Sequence, residues 1–157
     1  MITTIYDTDI PDEHLTIMGK IFLNWSLLEF ILTRIVSSLL SIDYKTGRII
    51  TRSMNSATKI DKIRSLVKHK NIGSLNRLEE VITKLNSARE KRNDIAHGVW
   101  TQDDNNNYYI IKYSSRNQQN PIKKKMSIDE LNLIYTEVTS ALAELKVWED
   151  NLSASKI

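Results

Sequence analysis

The amino-acid sequence predicts an all-α fold, an antiparallel bundle of four main helices with a small β-hairpin inserted before the last helix. Two observations predict it. Apolar residues recur at alternating spacings of three and four through most of the chain, which is the period of an α-helix with one buried face. Between residues 99 and 126 that period is lost, and two short aromatic and β-branched runs flank a polar turn.

The first helix is predicted over residues 12–40. Its apolar residues cover most of its surface as well as the expected stripe, and a helix of this kind is buried on more than one side. In a chain this small the second side is most simply covered by another copy, so we expect a two-fold homodimer. Glu29 is the exception, because its charge lies on the apolar stripe.

Three further main helices are predicted near residues 56–69, 75–97 and 127–150, with a helical turn near 47–54. Helix-capping residues precede each of the three, and they are Asn55, Ser74 and Ser127. Strands are expected only within residues 99–126, where the hairpin is followed by a polar loop or a short third strand.

Charge is distributed unevenly along the chain. Residues 45–70 contain eight basic residues and one acidic residue, whereas residues 127–157 contain six acidic and two basic residues. The basic segment either contacts a polyanion such as RNA or is the solvated face of a lysine-rich helix. On the first interpretation, the candidate RNA-binding residues are Lys59, Lys62 and Lys68.

Length and composition are those of one small domain. The chain has 157 residues, of which 41% are hydrophobic, and this suffices for a core. We expect a single helical domain over 1–157, with an N-terminal arm at 1–11 and a frayed tail at 152–157. The start of the chain lacks the order of a signal peptide, and no uninterrupted apolar run reaches the ~18 residues of a membrane span. We therefore expect a cytoplasmic protein without a membrane partner.

Several kinds of site are disfavoured by the residues present. The chain has no Cys, and its three His are scattered, so no pair has the spacing of metal ligands. No Gly-rich phosphate loop or nucleophile elbow occurs. We expect neither a metal nor a cofactor.

A group of polar residues interrupts the apolar stripe near the end of the 75–97 helix. Arg92 lies on that stripe, and a guanidinium there must be paired, face a wet cleft or lie at an interface. Glu29 is the predicted partner, because two opposite charges on apolar stripes are expected to meet. Asn93 and His97 lie one turn apart beside the stripe.

The spacing of these residues resembles a known signature. Arg92-Asn93, three further residues and His97 are similar to the motif of the HEPN superfamily, an Arg and a His separated by four to six residues, commonly with a polar residue after the Arg. The resemblance implies a small all-α domain and, for the active members, a metal-independent ribonuclease. It would make Arg92 and His97 the catalytic pair and Asn93 a supporting residue. It also implies a defence role, as a toxin restrained by a cognate antitoxin or as an abortive-infection factor. The insertion at 100–126 stays unexplained.

Three functions of different class fit these observations. The first is an endoribonuclease in which a histidine assists attack of the ribose 2′-hydroxyl on the adjacent phosphate while an arginine stabilises the developing charge. The second is a non-catalytic nucleotide- or RNA-binding module. The third is a regulatory bundle in which Arg92 and Glu29 only fix helix register. Because Arg92 and His97 are about 140° apart around one helix, we expect a dimer to bring both into one groove.

Overall fold

A computed structural model describes residues 3–4, 10–72, 75–114 and 117–154. In that part of the chain, five helices and four strands follow one another as β1 (Thr3–Thr4), α1 (Asp12–Leu40), α2 (Tyr44–Thr51), α3 (Ser56–Lys70), α4 (Leu75–His97), β2 (Val99–Gln102), β3 (Tyr108–Ser114), β4 (Asn117–Lys125) and α5 (Ile128–Ala154). The predicted helical bundle with strands inserted before the last helix is confirmed.

α1 is the central helix of the bundle. It packs against each of the other four helices, and twelve of its 29 residues are buried. By length and composition alone α1 also matches a membrane span, with a mean hydropathy of 1.5 over its most apolar window. A core helix has the same properties, and one third of that window is buried inside this fold.

The starts of α2, α3 and α5 follow from side-chain caps. α2 is a full helix rather than the predicted turn, because the Asp43 carboxylate accepts hydrogen bonds from Thr46 Oγ1 (2.6 Å) and Thr46 N (3.1 Å). These bonds lower the pKa of Asp43. Asn55 and Ser127 cap α3 and α5 as predicted, whereas Ser74 lies outside the described residues. α5 continues to Ala154, so the predicted tail at 152–157 begins too early.

The strands form one antiparallel sheet in the order β1-β2-β3-β4. β2 and β3 are the predicted hairpin, and residues 117–125 form a third strand rather than a loop. The prediction that strands occur only within residues 99–126 is wrong, because Thr3 and Thr4 pair with Gln102 and Thr101. The physical reason is the free edge of β2, whose backbone groups accept a partner strand, and threonine favours that conformation.

The hairpin turn is organised by Asp103. Its carboxylate accepts hydrogen bonds from the backbone N–H groups of Asn105 and Asn107, both at 3.0 Å, and the Tyr109 hydroxyl donates a third at 3.0 Å. These contacts, chiefly the backbone bond from Asn107, lower the pKa of Asp103 to about 2. The polar residues of the turn therefore form hydrogen bonds within the turn and stabilise it.

Close packing attaches the sheet to the end of α4. Ile110 in β3 is fully buried, and Trp100 Nε1 in β2 donates a hydrogen bond to the carbonyl of Ile95 at 3.3 Å. Gly98 joins α4 to β2, and a Cβ placed there would lie 1.8 Å from Ile110 Cγ2 and 2.6 Å from the carbonyl oxygen of Asp94. Glycine at this position permits the sheet to pack directly against the last turn of α4.

We expect Gly98→Ala to lower the free energy of unfolding by about 1–3 kcal/mol, since the added methyl group overpacks this contact. Urea denaturation measures the change. Gly19→Ala is the matched control, because a Cβ on this exposed helical glycine meets nothing within 4 Å, and alanine there should be neutral or stabilising. A Gly98→Ala protein as stable as the wild type would contradict the close approach of sheet and helix.

Candidate functional site

The residues of the predicted motif line a cleft of about 410 Å³, which we call the arginine cleft. Its walls come from α1, from the start of α3 and from the last turns of α4. The lining residues are Trp25, Glu29, Asn55, Ser56, Ala57, Arg89, Arg92, Asn93 and His97. The structure thus brings together the four residues that the sequence singled out on α1 and α4.

Arg92 and His97 of one protomer border the same cleft, although they are about 140° apart around α4. Arg92 is half-buried and His97 is exposed at the C-terminal end of the helix. Both residues thus border one cleft within a single protomer, and the groove shared by two protomers stays a prediction. The arginine cleft extends around α4, from the side facing α1 to the solvent side.

Aromatic rings of α1 accommodate the guanidinium of Arg92 on its apolar stripe. Arg92 Cζ lies 5.4 Å from the ring centroid of Phe22 and 5.6 Å from that of Trp25, which is within cation–π range. One guanidinium nitrogen, Nη1, donates a hydrogen bond to Asn93 Oδ1 at 3.0 Å. Two buried donors, Arg92 Nε and Trp25 Nε1, have no hydrogen-bond partner in the described part of the chain.

The predicted ion pair between Arg92 and Glu29 does not form. Glu29 Oε1 instead accepts a hydrogen bond from Ser56 Oγ at 2.6 Å, and no described carboxylate forms an ion pair with Arg92. The physical reason is that Ser56, the buried first residue of α3, needs an acceptor while the aromatic rings hold the guanidinium. Glu29 therefore joins α1 to α3, and Arg92 keeps its charge without a carboxylate partner.

Arg89 is the site residue that the sequence analysis missed. It is half-buried, lines the arginine cleft and has no ion-pair or hydrogen-bond partner among the described residues. Its position three residues before Arg92, on the same side of α4, is the signal that could have identified it. The cleft thus has two guanidiniums and one carboxylate, and Ser56 already donates to that carboxylate.

His97 lies at the rim of the cleft, with no hydrogen bond to any described residue. Its imidazole is exposed to solvent, and the two arginines that line the same cleft can hold an anion. Among the described residues, no group of three or more His, Asp or Glu is placed to hold a metal ion.

The three predicted RNA-binding lysines do not join the arginine cleft. Lys62 and Lys68 are exposed and Lys59 is half-buried, and none of them lines the cleft. Lys59 and Lys68 are nine residues apart and therefore about 180° apart around α3. Arg64 on the same helix is neutralised, because its Nε and Nη2 donate to the two carboxylate oxygens of Glu79 at 2.6 and 2.9 Å. The basic segment is thus not one continuous surface beside the motif.

No protein-family model, curated protein or solved structure matches the chain. Function is therefore inferred from the chemistry of the cleft.

Proposed function

We propose that the protein is an endoribonuclease whose active site is the arginine cleft. One observation carries this proposal: two half-buried guanidiniums without a carboxylate partner border the same cleft as Asn93 and His97. Guanidiniums stay charged and donate several hydrogen bonds in a fixed fork, so they suit a phosphate group.

RNA suits this set of residues because it supplies its own nucleophile. In the proposed reaction His97 accepts the proton of the ribose 2′-hydroxyl, and the 2′ oxygen forms a bond to the adjacent phosphorus. The bond from phosphorus to the 5′ oxygen breaks, and that oxygen takes up a proton from solvent. Arg92 and Arg89 stabilise the negative charge that develops on the phosphate oxygens. The products are a 2′,3′-cyclic phosphate and a 5′-hydroxyl.

The resemblance of Arg92-Asn93 and His97 to the HEPN motif supports the same assignment. The residues lie in the last turns of a helix in a helical bundle, which is the setting that the resemblance implies. A defence role in the cytoplasm, with a cognate antitoxin as partner, is part of this proposal through the resemblance alone.

A second candidate function is a non-catalytic RNA- or nucleotide-binding module. The observation that favours it is the exposure of His97, whose imidazole has no described partner. A catalytic histidine is usually oriented by a third group that fixes its tautomer. On this alternative the arginines bind phosphate, and no bond is cleaved.

Incubating the purified protein with single-stranded RNA in EDTA distinguishes the two candidates. The ribonuclease is expected to cleave RNA and to leave DNA of the same sequence intact, because DNA lacks the 2′-hydroxyl. Binding of RNA without cleavage would support the second candidate and exclude the first. Absence of both binding and cleavage would contradict both.

We also propose that the protein forms a two-fold homodimer through α1. Leu23, Leu27 and Phe30 lie on one face of this helix and are 72%, 48% and 41% exposed. The Phe30 ring contacts the Tyr44 ring, with centroids 5.3 Å apart, and this extends the apolar surface onto α2. Contiguous exposed apolar surface of this kind typically marks an interface. Helical geometry places this face about 130° around α1 from Phe22, Trp25 and Glu29, so the proposed interface and the arginine cleft lie on different sides of the helix.

We expect Leu23→Glu with Leu27→Glu to convert the dimer into a monomer, because four buried charges would face one another across the axis. Light scattering during size-exclusion chromatography measures the mass. The control is Leu133→Glu with Val147→Glu, which places the same charges at exposed apolar positions of α5. A monomeric wild type, or equal dimer loss in both variants, would contradict the proposed interface.

A further inference from the structure

A second cleft adjoins the arginine cleft on the other side of α4. It has a volume of about 540 Å³, and its lining residues are Glu90, Lys91, Asn93, Asp94, His97, Lys112 and Lys124. We call it the lysine cleft. Asn93 and His97 line both clefts, so these two side chains form the ridge that separates them.

The helical period of α4 explains this division. Around the helix axis, Arg92 and Arg89 come first, Asn93 and His97 follow, and Asp94 and its neighbours come next. The arginines therefore point to one side of the ridge and Asp94 to the other. His97, the proposed catalytic group, lies between two binding surfaces.

The sheet supplies the opposite wall of the lysine cleft. Lys124 of β4 pairs in register with the buried Ile110 of β3, so both lie on the sheet face that packs against the bundle. Lys112 is two residues beyond Ile110 and shares that face. Its ammonium group forms an ion pair with Asp94, and Lys124 Nζ lies 2.8 Å from Glu130 Oε1. The strand alternation that buries Ile110 thus places two lysines beside His97.

These lysines keep donors for a ligand. An ammonium group has three N–H donors, and one carboxylate contact leaves others unused. In the pair between Lys112 and Asp94, the lysine side chain is 44% exposed and the aspartate side chain only 15%. The ammonium group is therefore the more accessible partner of this ion pair.

We propose that the lysine cleft binds the RNA backbone beyond the cleaved bond, so that the strand crosses the ridge with one flank in each cleft. This inference rests on the proposed ribonuclease function. The substrate class is then single-stranded RNA with nucleotides on both sides of the cleaved phosphate. Because ammonium groups contact phosphates as point charges, this cleft selects for strand length and not for sequence.

The test is the salt dependence of RNA binding in a His97→Ala background, where binding can be measured without cleavage. Lys112→Ser with Lys124→Ser should lower the slope of log K against log salt by about 1.4, since each phosphate contact on a single strand contributes about 0.7. The matched control is Lys123→Ser with Lys125→Ser, which removes two lysines from the opposite face of the sheet, where Lys123 Nζ lies 3.7 Å from the Tyr109 ring centroid.

Two further measurements distinguish the loss of phosphate contacts from misfolding of the variant. Lys112→Arg with Lys124→Arg retains the charges and should retain the slope, which separates charge loss from misfolding. A dinucleotide should bind the Ser double variant almost as well as the parent protein. An unchanged slope, or an equal decrease of the slope in the Ser double variant and its control, would overturn the proposal that the lysine cleft binds RNA. The ribonuclease proposal would stay intact. A wild-type protein that binds no RNA would overturn both.

Discussion

His97→Ala is expected to abolish RNA cleavage while leaving the fold unchanged. A general acid–base group typically contributes 10²- to 10⁴-fold, so the kcat/KM for RNA should fall by about that factor. His97 is exposed and makes no hydrogen bond with the described residues, and the stability should therefore change by no more than about 0.5 kcal/mol.

The chain offers a matched control for this variant. His69 is exposed in the last turn of α3, as His97 is in the last turn of α4, and it lies outside both clefts. His69→Ala should retain full activity. Equal activity of the two alanine variants would show that His97 takes no part in the reaction.

Arg92→Ala is expected to lower kcat/KM by about 10²-fold or more, because it removes the guanidinium that we propose stabilises charge on the phosphate. Arg92→Lys should restore little of this activity, since an ammonium group lacks the planar fork and packs less well against Phe22 and Trp25. Arg89→Ala should act mainly through a higher KM. Steady-state kinetics on one RNA substrate distinguishes the effects of the two arginine substitutions on kcat and KM.

Stability measurements on the arginine variants test the contacts of the site. Arg92→Ala removes two cation–π contacts, each contributing about 0.5–1 kcal/mol, but leaves no buried carboxylate unpaired because Glu29 is bonded to Ser56. Arg64→Ala is the control, since it breaks the exposed pair with Glu79 and should cost at most about 1 kcal/mol without loss of activity. A larger activity loss in Arg64→Ala than in Arg92→Ala would contradict the assignment of the cleft.

The helical bundle could be predicted because the residues that specify each helix are close together in the sequence. The three-and-four spacing fixes which helix faces are buried, and Asn55 and Ser127 mark helix starts through bonds to residues three positions away. The β-hairpin could be predicted for the same reason, since aromatic and β-branched runs directly flank a turn that Asp103 organises. β1 was missed because its partners, Thr101 and Gln102, are almost 100 residues distant in the chain.

The four residues singled out on α1 and α4 do line one cleft, but their predicted contacts do not all form. The sequence placed Arg92 on a buried stripe and therefore required a partner, and charge alone indicated Glu29. The guanidinium instead lies against Phe22 and Trp25, whose rings could have been recognised as a binding face three residues apart on α1. The lysine cleft could not be predicted, since it depends on how the sheet packs against α4.

The central claim is that the arginine cleft cleaves RNA through the 2′-hydroxyl of the substrate. Its most direct test is cleavage in EDTA of a single-stranded RNA, followed by end-group analysis and repeated with a single 2′-deoxynucleotide at the mapped cleavage position. We expect 2′,3′-cyclic phosphate ends with the all-ribose strand and no cleavage at the deoxy position. Cleavage that persists at the deoxy position, or a wild-type protein that binds the RNA and leaves it intact, would contradict it.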